Sequence, residues 1–314
     1  MSQEPFRYIF GPVPSRRLGR SLGLDLIPFK TCCLNCLYCE CGKTTVHTLE
    51  RKEYVPARTI IREVDAFLSG GPSLDVITFA GSGEPTLNTA LPELVRHIQT
   101  RYPQYKTALL TNGSLFYLEE VRQSALTFDF VLPSLDAVRQ QTFEKINQPA
   151  GGLSNPKVIE GLITFSKMYS GILWVEVFII PGLNDDETEL ALFRETLEKV
   201  SLDRVHLNTL DRPPAFAGVQ PASPERLRQI ARFLAPLPVE IISRKAQAGP
   251  RITLSRREIE YFLATLRRRP MTVEDLSVTL AKNINEMYVL LDALLSRKLI
   301  TTQVVNNRTF YQTL

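Results

Sequence analysis

Residues 22–42 read LGLDLIPFKTCCLNCLYCECG. A short apolar run, LGLDLI (22–27), has the length and bounding of a buried strand, and it leads into a loop holding every cysteine of the chain: Cys32, Cys33, Cys36, Cys39 and Cys41. Five cysteines inside ten residues cannot staple distant parts of a fold, so disulfide scaffolding is excluded and a metal or redox site is implied.

Outward from this strand and loop, the pattern repeats. The runs DVITFA (75–80), KTALL (106–110), FDFVLP (128–133), LWVEVFII (173–180) and RVHLN (204–208) read as five more strands, with VEII (239–242) as a possible last one. Between them, IREVDAFLS, LPELVRHIQTRY, LEEVRQSA, the stretch 137–168 and DETELALFRETLEKV place apolar residues at spacings of three and four. Strand–helix alternation predicts a parallel sheet covered by helices. The polar and glycine-rich segments all follow strand C-termini: the cysteines, GSGEP, TNG, SLD, PGLND and NTLDRPP. Shared placement on one rim favours an α/β fold of the incomplete (β/α)6 barrel type over a doubly wound sheet.

The chain has 314 residues, 44% hydrophobic and 22% charged, which excludes disorder as its main state. No apolar run is long enough to span a membrane, and the opening MSQEPFRYIF lacks a signal-peptide layout, so no membrane association and a cytoplasmic location are expected. The net charge of +4 lies in residues 251–314, which hold ten Lys/Arg and six Asp/Glu. The expected domains are a partial barrel over 1–245, a linker over 246–254 around Gly249 and Pro250, and a module over 255–314. That module shows IEYFLATL, a stop at Pro270, a helix introduced by Thr272, a longer helix NEMYVLLDALLSRK, and two strands joined by Asn306 and Asn307. Three helices followed by a hairpin resemble a winged helix-turn-helix.

Cys32, Cys36 and Cys39 follow the spacing C-x3-C-x2-C, with Tyr38 before the last. Three thiolates on one short loop suit three irons of a [4Fe-4S] cube and leave the fourth iron open; a structural zinc site closed by Cys33, Cys36, Cys39 and Cys41 is the alternative.

These three cysteines with Tyr38, followed by GSGEP (81–85), resemble the radical S-adenosylmethionine (SAM) superfamily. The segments FGPVPSRRLGRSLGLDLIPFKTC, LLTNGSL, VLPSLDA, VFIIPGLND and NTLDRPP further resemble a branch of radical SAM Fe-S oxidoreductases distantly similar to the wybutosine-synthesis enzymes that act on tRNA. The likeness spans residues 8–215 and leaves the C-terminal module outside. It implies a [4Fe-4S] cluster on Cys32, Cys36 and Cys39, SAM chelating the open iron, a flavodoxin- or ferredoxin-type reductant, and cleavage of SAM to a 5′-deoxyadenosyl radical that abstracts hydrogen from substrate. Cys33 and Cys41 are then spectators.

The resemblance also implies that Gly81, Ser82, Gly83 and Glu84 form the turn receiving the SAM amine through backbone oxygens, with Ser82 where many relatives carry glycine. Gly83 is read as a position where a side chain excludes SAM without disturbing the iron. Ser134 and Asp136 stand where the family contacts the SAM ribose or carboxylate, although Asp136 also suits a helix N-cap. Asn112 is either a ligand contact or half of an Asn-Gly turn, and Glu176, inside an apolar strand, either a SAM or substrate contact or an ion pair. His206 shares a strand face with Asn208, while His47 and His97 read as loop and exposed-helix residues. Arg16, Arg17, Arg20 and Arg212 bind an anion or form ion pairs.

Three functions remain open. The first is an enzyme modifying tRNA or another nucleic acid, with residues 255–314 as docking module; the second modifies or activates a peptide or protein. The third, an Fe-S redox-sensing DNA-binding regulator, has no use for a SAM rim. In a winged helix the contact residues are Lys282, Arg297, Lys298 and Arg308, and the run Arg267–Arg269 is the other basic feature.

Overall fold

The computed structural model describes residues 6–211, 214–242, 259, 262–263, 266, 270–280, 284–305 and 308–314. The expected linker, Arg212, the run Arg267–Arg269, Lys282 and the Asn306–Asn307 turn lie outside these residues. The chain divides into two compact units, 1–244 and 245–314.

The first unit is built on an eight-stranded sheet in the order β1-β2-β5-β6-β7-β8-β9-β10. Its strands are β1 (Ile9–Ser15), β2 (Gly19–Leu24), β5 (Val76–Phe79), β6 (Lys106–Thr111), β7 (Phe130–Pro133), β8 (Ile172–Ile179), β9 (Arg204–Thr209) and β10 (Val239–Ile241). Two short strands inside the cysteine loop, β3 (Thr31–Cys32) and β4 (Val46–His47), pair parallel with each other. From β2 to β10 every neighbouring pair is parallel, seven strands in all, and β1 and β10 are not paired, which leaves an incomplete barrel. The possible strand VEII is therefore present and makes seven parallel strands in place of six. An antiparallel β1 on the edge was not expected, because its IFGPVPS carries two prolines, which weaken a strand signal and are tolerated only at a sheet edge.

Helices cover the outer face: α1 (Ala57–Leu68), α2 (Leu91–Arg101), α3 (Glu119–Ala125), α4 (Gln140–Ile146), α5 (Asn155–Met168), α6 (Glu187–Leu197) and α7 (Pro224–Phe233). Ala57, Ile60, Val64 and Leu68 form one stripe of α1, and Leu91, Leu94, Val95 and Ile98 one of α2. These stripes pack against Leu22, Leu24, Ile77, Phe79, Leu109, Val175, Val177, Val205 and Leu207 in one core, where each large side chain contributes about 2 kcal/mol. The stretch 137–168 breaks into α4 and α5 because QPAGGLS intervenes, with Gly152 at φ 88°. Alternation turns the intervening strand residues inward, among them Ser21, Thr78, Trp174, Glu176, His206 and Asn208. Parallel pairing brings the C-terminal ends of β2 and β5 to β9 to one rim, as the segment order predicted.

In the second unit, α8 (Val273–Leu280) and α9 (Ile284–Ser296) precede a hairpin of β11 (Ile300–Val305) and β12 (Arg308–Thr313). Thr272 caps α8: its hydroxyl accepts from Asp275 N at 3.3 Å while Asp275 Oδ2 accepts from Thr272 N at 3.2 Å. Met271 pairs antiparallel with Tyr311, adding a bridge to the hairpin, and Phe262, Leu266, Met287, Leu291, Leu294 and Ile300 are among the core beneath.

Candidate active site

The cysteine loop is tied to the strand ends by polar contacts converging on its sulfurs. Lys30 Nζ donates to Cys39 Sγ at 3.1 Å. At the end of β6, Asn112 Nδ2 lies 3.6 Å from Cys32 Sγ and 3.5 Å from Cys33 Sγ, and from the end of α4, Asn147 Nδ2 donates to Cys36 Sγ at 3.4 Å. Cys32, Cys36 and Cys39 are half-buried. A hydrogen bond from the Cys41 thiol, opposed by burial and helped by Lys30, holds Cys39 down to about 5. The Cys33 thiol likewise lowers Cys32 against burial, whereas burial and then Asp136 push Cys36 up.

Cys33 is fully buried, with Sγ 3.0 Å from Ser114 Oγ, and burial raises its pKa strongly. Cys41 reaches toward Gly81 O at 3.9 Å. A single zinc ion needs its sulfurs within about 4 Å of one another. No group of three His, Cys, Asp or Glu among the described residues is arranged to hold one metal ion.

Asp136 is not an N-cap: α4 begins at Gln140 with Arg139 as its N-cap. Its buried carboxylate accepts from the Tyr38 hydroxyl, from Asn147 Nδ2 at 2.9 Å and from Phe178 N at 3.1 Å, while burial pushes it up to about 6 against these bonds. The Tyr38 ring stacks on Phe178 with centroids 3.9 Å apart. Asn112, Ser134, Asp136 and Asn147 line one small cleft, so three of the expected SAM residues stand together.

The GSGEP turn is occupied differently. Glu84 is buried; Oε1 accepts from Thr86 N at 3.0 Å and from the Thr86 and Thr111 hydroxyls at 2.5 and 2.6 Å, and Oε2 accepts from Asn112 N at 2.8 Å. This carboxylate cross-links the rim. A Cβ on Gly83 would stand 2.0 Å from Thr31 O and 2.9 Å from Ile27 Cγ2. The glycine is thus demanded by the cysteine loop passing over it, and a side chain there disturbs that loop. Gly81 sits against Asp25, which accepts from Ser82 N and Oγ at 3.2 and 2.7 Å, and Ser82 O accepts from Lys30 N at 3.2 Å.

Glu176 forms an ion pair with Arg17 and accepts from Asn208 Nδ2 at 3.4 Å, so the ion-pair reading holds for both. Arg16 lies 3.6 Å from Asp211. Arg20 donates its backbone N–H to Asp75 at 2.7 Å. His206 is buried beside Trp174, its Nδ1 without a partner among the described residues, and burial followed by Arg17 lowers its pKa to about 4. His47 Nε2 lies 3.2 Å from Cys33 O, and His97 pairs with Asp65 at 2.8 Å. Sequence reasoning missed Lys30 and Asn147. The one signal was the Lys30 position itself, a cation two residues before Cys32.

An iron–sulfur group fits these residues. The thiols of three half-buried cysteines each meet an N–H donor, two of them are held toward the thiolate, and Asn147 Oδ1 is buried at the same place without a partner among the described residues. A parallel partial barrel with clustered cysteines on its rim defines an Fe-S radical enzyme class. The chain belongs to the radical SAM superfamily, whose family model matches residues 26–193. It is therefore an enzyme of that class, using a [4Fe-4S] cluster and SAM, and it needs an electron donor and a substrate.

Within the superfamily, the chain is 38% identical over 315 residues to a UPF0026 protein of Helicobacter pylori strain J99, covering 99% of each chain. Its fold is similar to a radical SAM methyltransferase from Sphaerobacter thermophilus (TM-score 0.55, 18% identity, 70% of this chain and 66% of that one). It is also similar to TYW1 with a lysine–pyruvate adduct bound (TM-score 0.54, 17% identity, 68% and 72%). No helix among the described residues is long and apolar enough to cross a membrane.

Proposed function

We propose that the protein is a cytoplasmic radical SAM enzyme whose Cys32, Cys36 and Cys39 hold the cluster, and whose substrate is a polypeptide recruited through the C-terminal unit. The observation supporting the ligand assignment is the N–H donor facing each of these sulfurs, the one on Cys32 being shared with Cys33. When bound, the cluster and SAM supply a 5′-deoxyadenosyl radical that abstracts hydrogen from substrate. Ser134 and Asp136 offer polar groups to SAM from the rim cleft, Asn112 lines the same cleft with its amide turned to the sulfurs, and Tyr38 holds the Asp136 carboxylate in place. Gly81, Ser82 and Gly83 keep the cysteine loop close to the end of β5, and Glu84 locks β5 to β6. The Arg17–Glu176–Asn208 group keeps a polar surface inside the barrel where a substrate is oriented. A flavodoxin- or ferredoxin-type protein is the proposed reductant.

The polypeptide reading follows from the second unit, for which we propose a winged helix over residues 255–314. Helix α9 has no Lys or Arg from Ile284 to Ser296, and it exposes Ile284 and Tyr288, one turn apart, with Val304 exposed on the hairpin. Residues 270–314 hold four Lys/Arg and four Asp/Glu, net zero. Nucleic-acid binding by such a helix relies on cations that are absent from it. A second reading, docking of tRNA or another nucleic acid, draws on residues 251–269, where six Arg stand against two Glu, and on the exposed Arg297, Lys298 and Arg308.

The test is anaerobic incubation of reconstituted enzyme with SAM, reductant and cell extract, following substrate-dependent 5′-deoxyadenosine by mass spectrometry. Loss of the product signal after protease treatment of the extract, and in an Ile284→Asp/Tyr288→Asp variant, supports the polypeptide; loss after nuclease treatment alone supports the nucleic acid.

A further inference from the structure

We propose that Lys30, Asn112 and Asn147 set the reduction potential of the cluster, each through one N–H···S hydrogen bond to a different cysteine. The inference rests on Cys32, Cys36 and Cys39 being the ligands.

The three donors come from separate parts of the fold. Lys30 lies in the loop ahead of the cysteines, Asn112 follows β6, and Asn147 ends α4. Their separate origins make the arrangement one of tertiary structure; no local turn would produce it. Each is also held in orientation. The Lys30 main chain, at φ 56°, is pinned on both sides: its N–H donates to Ser82 O at 3.2 Å, and its carbonyl accepts from Thr45 N at 3.0 Å and Val46 N at 3.1 Å. The residue is only 3% exposed, and its ammonium meets Cys39 Sγ. Asn147 Nδ2 is identified as the donor atom because it also serves the Asp136 carboxylate, which accepts only. Asn112 Oδ1 accepts from Ser114 N at 3.0 Å, which leaves Nδ2 for the sulfurs.

Electrostatics fixes the direction of the effect. On accepting one electron from the external reductant, the cluster and its thiolates gain one unit of negative charge. An N–H donor or ammonium facing a thiolate sulfur stabilises the reduced form more than the oxidised one and raises the potential. Burial strengthens this, since little water is available to screen the interaction. Lys30 carries a full charge and the two asparagines only dipoles, so Lys30 has the largest influence. Asn147 also stands between Cys36 and the Asp136 carboxylate, whose charge acts in the opposite sense.

The experiment is a redox-poised EPR titration of anaerobically reconstituted full-length protein, with iron content determined on the same samples. Lys30→Met, Asn112→Ala and Asn147→Ala are expected to keep a full cluster and to shift its midpoint negative, Lys30→Met most, with Lys30→Arg returning toward the parent value. Should Lys30→Met fail to load iron, the two asparagine variants decide the case. Full iron content with an unchanged midpoint overturns the proposal. Failure of the ligand assignment reads differently: a Cys32→Ala, Cys36→Ala or Cys39→Ala protein would then retain the cluster.

Discussion

The Tyr38 hydroxyl donates to the Asp136 carboxylate, joining the residue before Cys39 to the segment after β7. Through Phe178 N and Asn147 Nδ2 the same carboxylate reaches β8 and α4. Tyr38→Phe keeps the stack on Phe178 and removes one bond to a buried acceptor, so it should retain iron and lose about 1.5 kcal/mol of stability. Anaerobic urea denaturation of the loaded protein measures this, and an unchanged midpoint would show that the bond contributes nothing net.

Cluster loading separates the five cysteines. Alanine at Cys32, Cys36 or Cys39 should abolish the iron-sulfur absorbance and its response to SAM. Cys33→Ala and Cys41→Ala should keep both, although Cys33→Ala leaves a gap beside Ser114 in a fully buried position and should cost about 1 kcal/mol.

A third expectation concerns the GSGEP turn. In Glu84→Gln the amide has one acceptor oxygen for four donated bonds and turns an NH2 toward groups that themselves donate, which should cost about 2 kcal/mol. Gly83→Ala drives a methyl into Thr31 O and should lower the iron content of purified protein. Full loading with weakened SAM binding, read by anaerobic calorimetry, would instead favour a direct role for Gly83 at SAM.

The strand order, the shared rim and the cysteine loop were legible because each is written in consecutive residues: apolar runs of four to eight, then polar segments at their ends. What escaped was tertiary. Asn147 ends a helix with no local sign that its amide meets Cys36, and Arg17 and Glu176 are 159 positions apart, brought together only by the curvature of the sheet. Helix α7 buries just Leu227 and Ile230, too sparse a stripe to stand out. The GSGEP motif was visible in the sequence, while the Thr86, Thr111 and Asn112 atoms that bond Glu84 and the Thr31 carbonyl that crowds Gly83 were not.

Arg17 and Glu176 should behave as a coupled pair. Removing the cation in Arg17→Met leaves a mostly buried carboxylate with Asn208 as its remaining side-chain donor, costing about 2 kcal/mol, whereas adding Glu176→Gln should recover most of that loss. Denaturation midpoints of the two single variants and the double variant give the coupling directly; additive losses would show that the pair does not interact energetically.

The last prediction concerns His206, which burial and then Arg17 hold down to about 4, below its ordinary value of 6.5. Between these two values the unfolded chain takes up a proton that the folded chain refuses, so protonation favours unfolding. The His206 contribution to stability should therefore fall as pH drops from about 6.5 toward 4, opposed over the lower part of that range by Asp136, whose carboxyl burial pushes up to about 6, and His206→Gln should remove the falling component from the melting-temperature profile. Glu240, 4.0 Å away, acts in the opposite sense to Arg17, and Arg204 in the same sense. Arg17→Met should accordingly raise the folded-state pKa and narrow the window from its acid side, so that the variant reaches its low-pH plateau sooner than the parent. Parallel pH profiles for parent and Arg17→Met, each normalised to its own value at neutral pH, would show that Arg17 does not act on this imidazole.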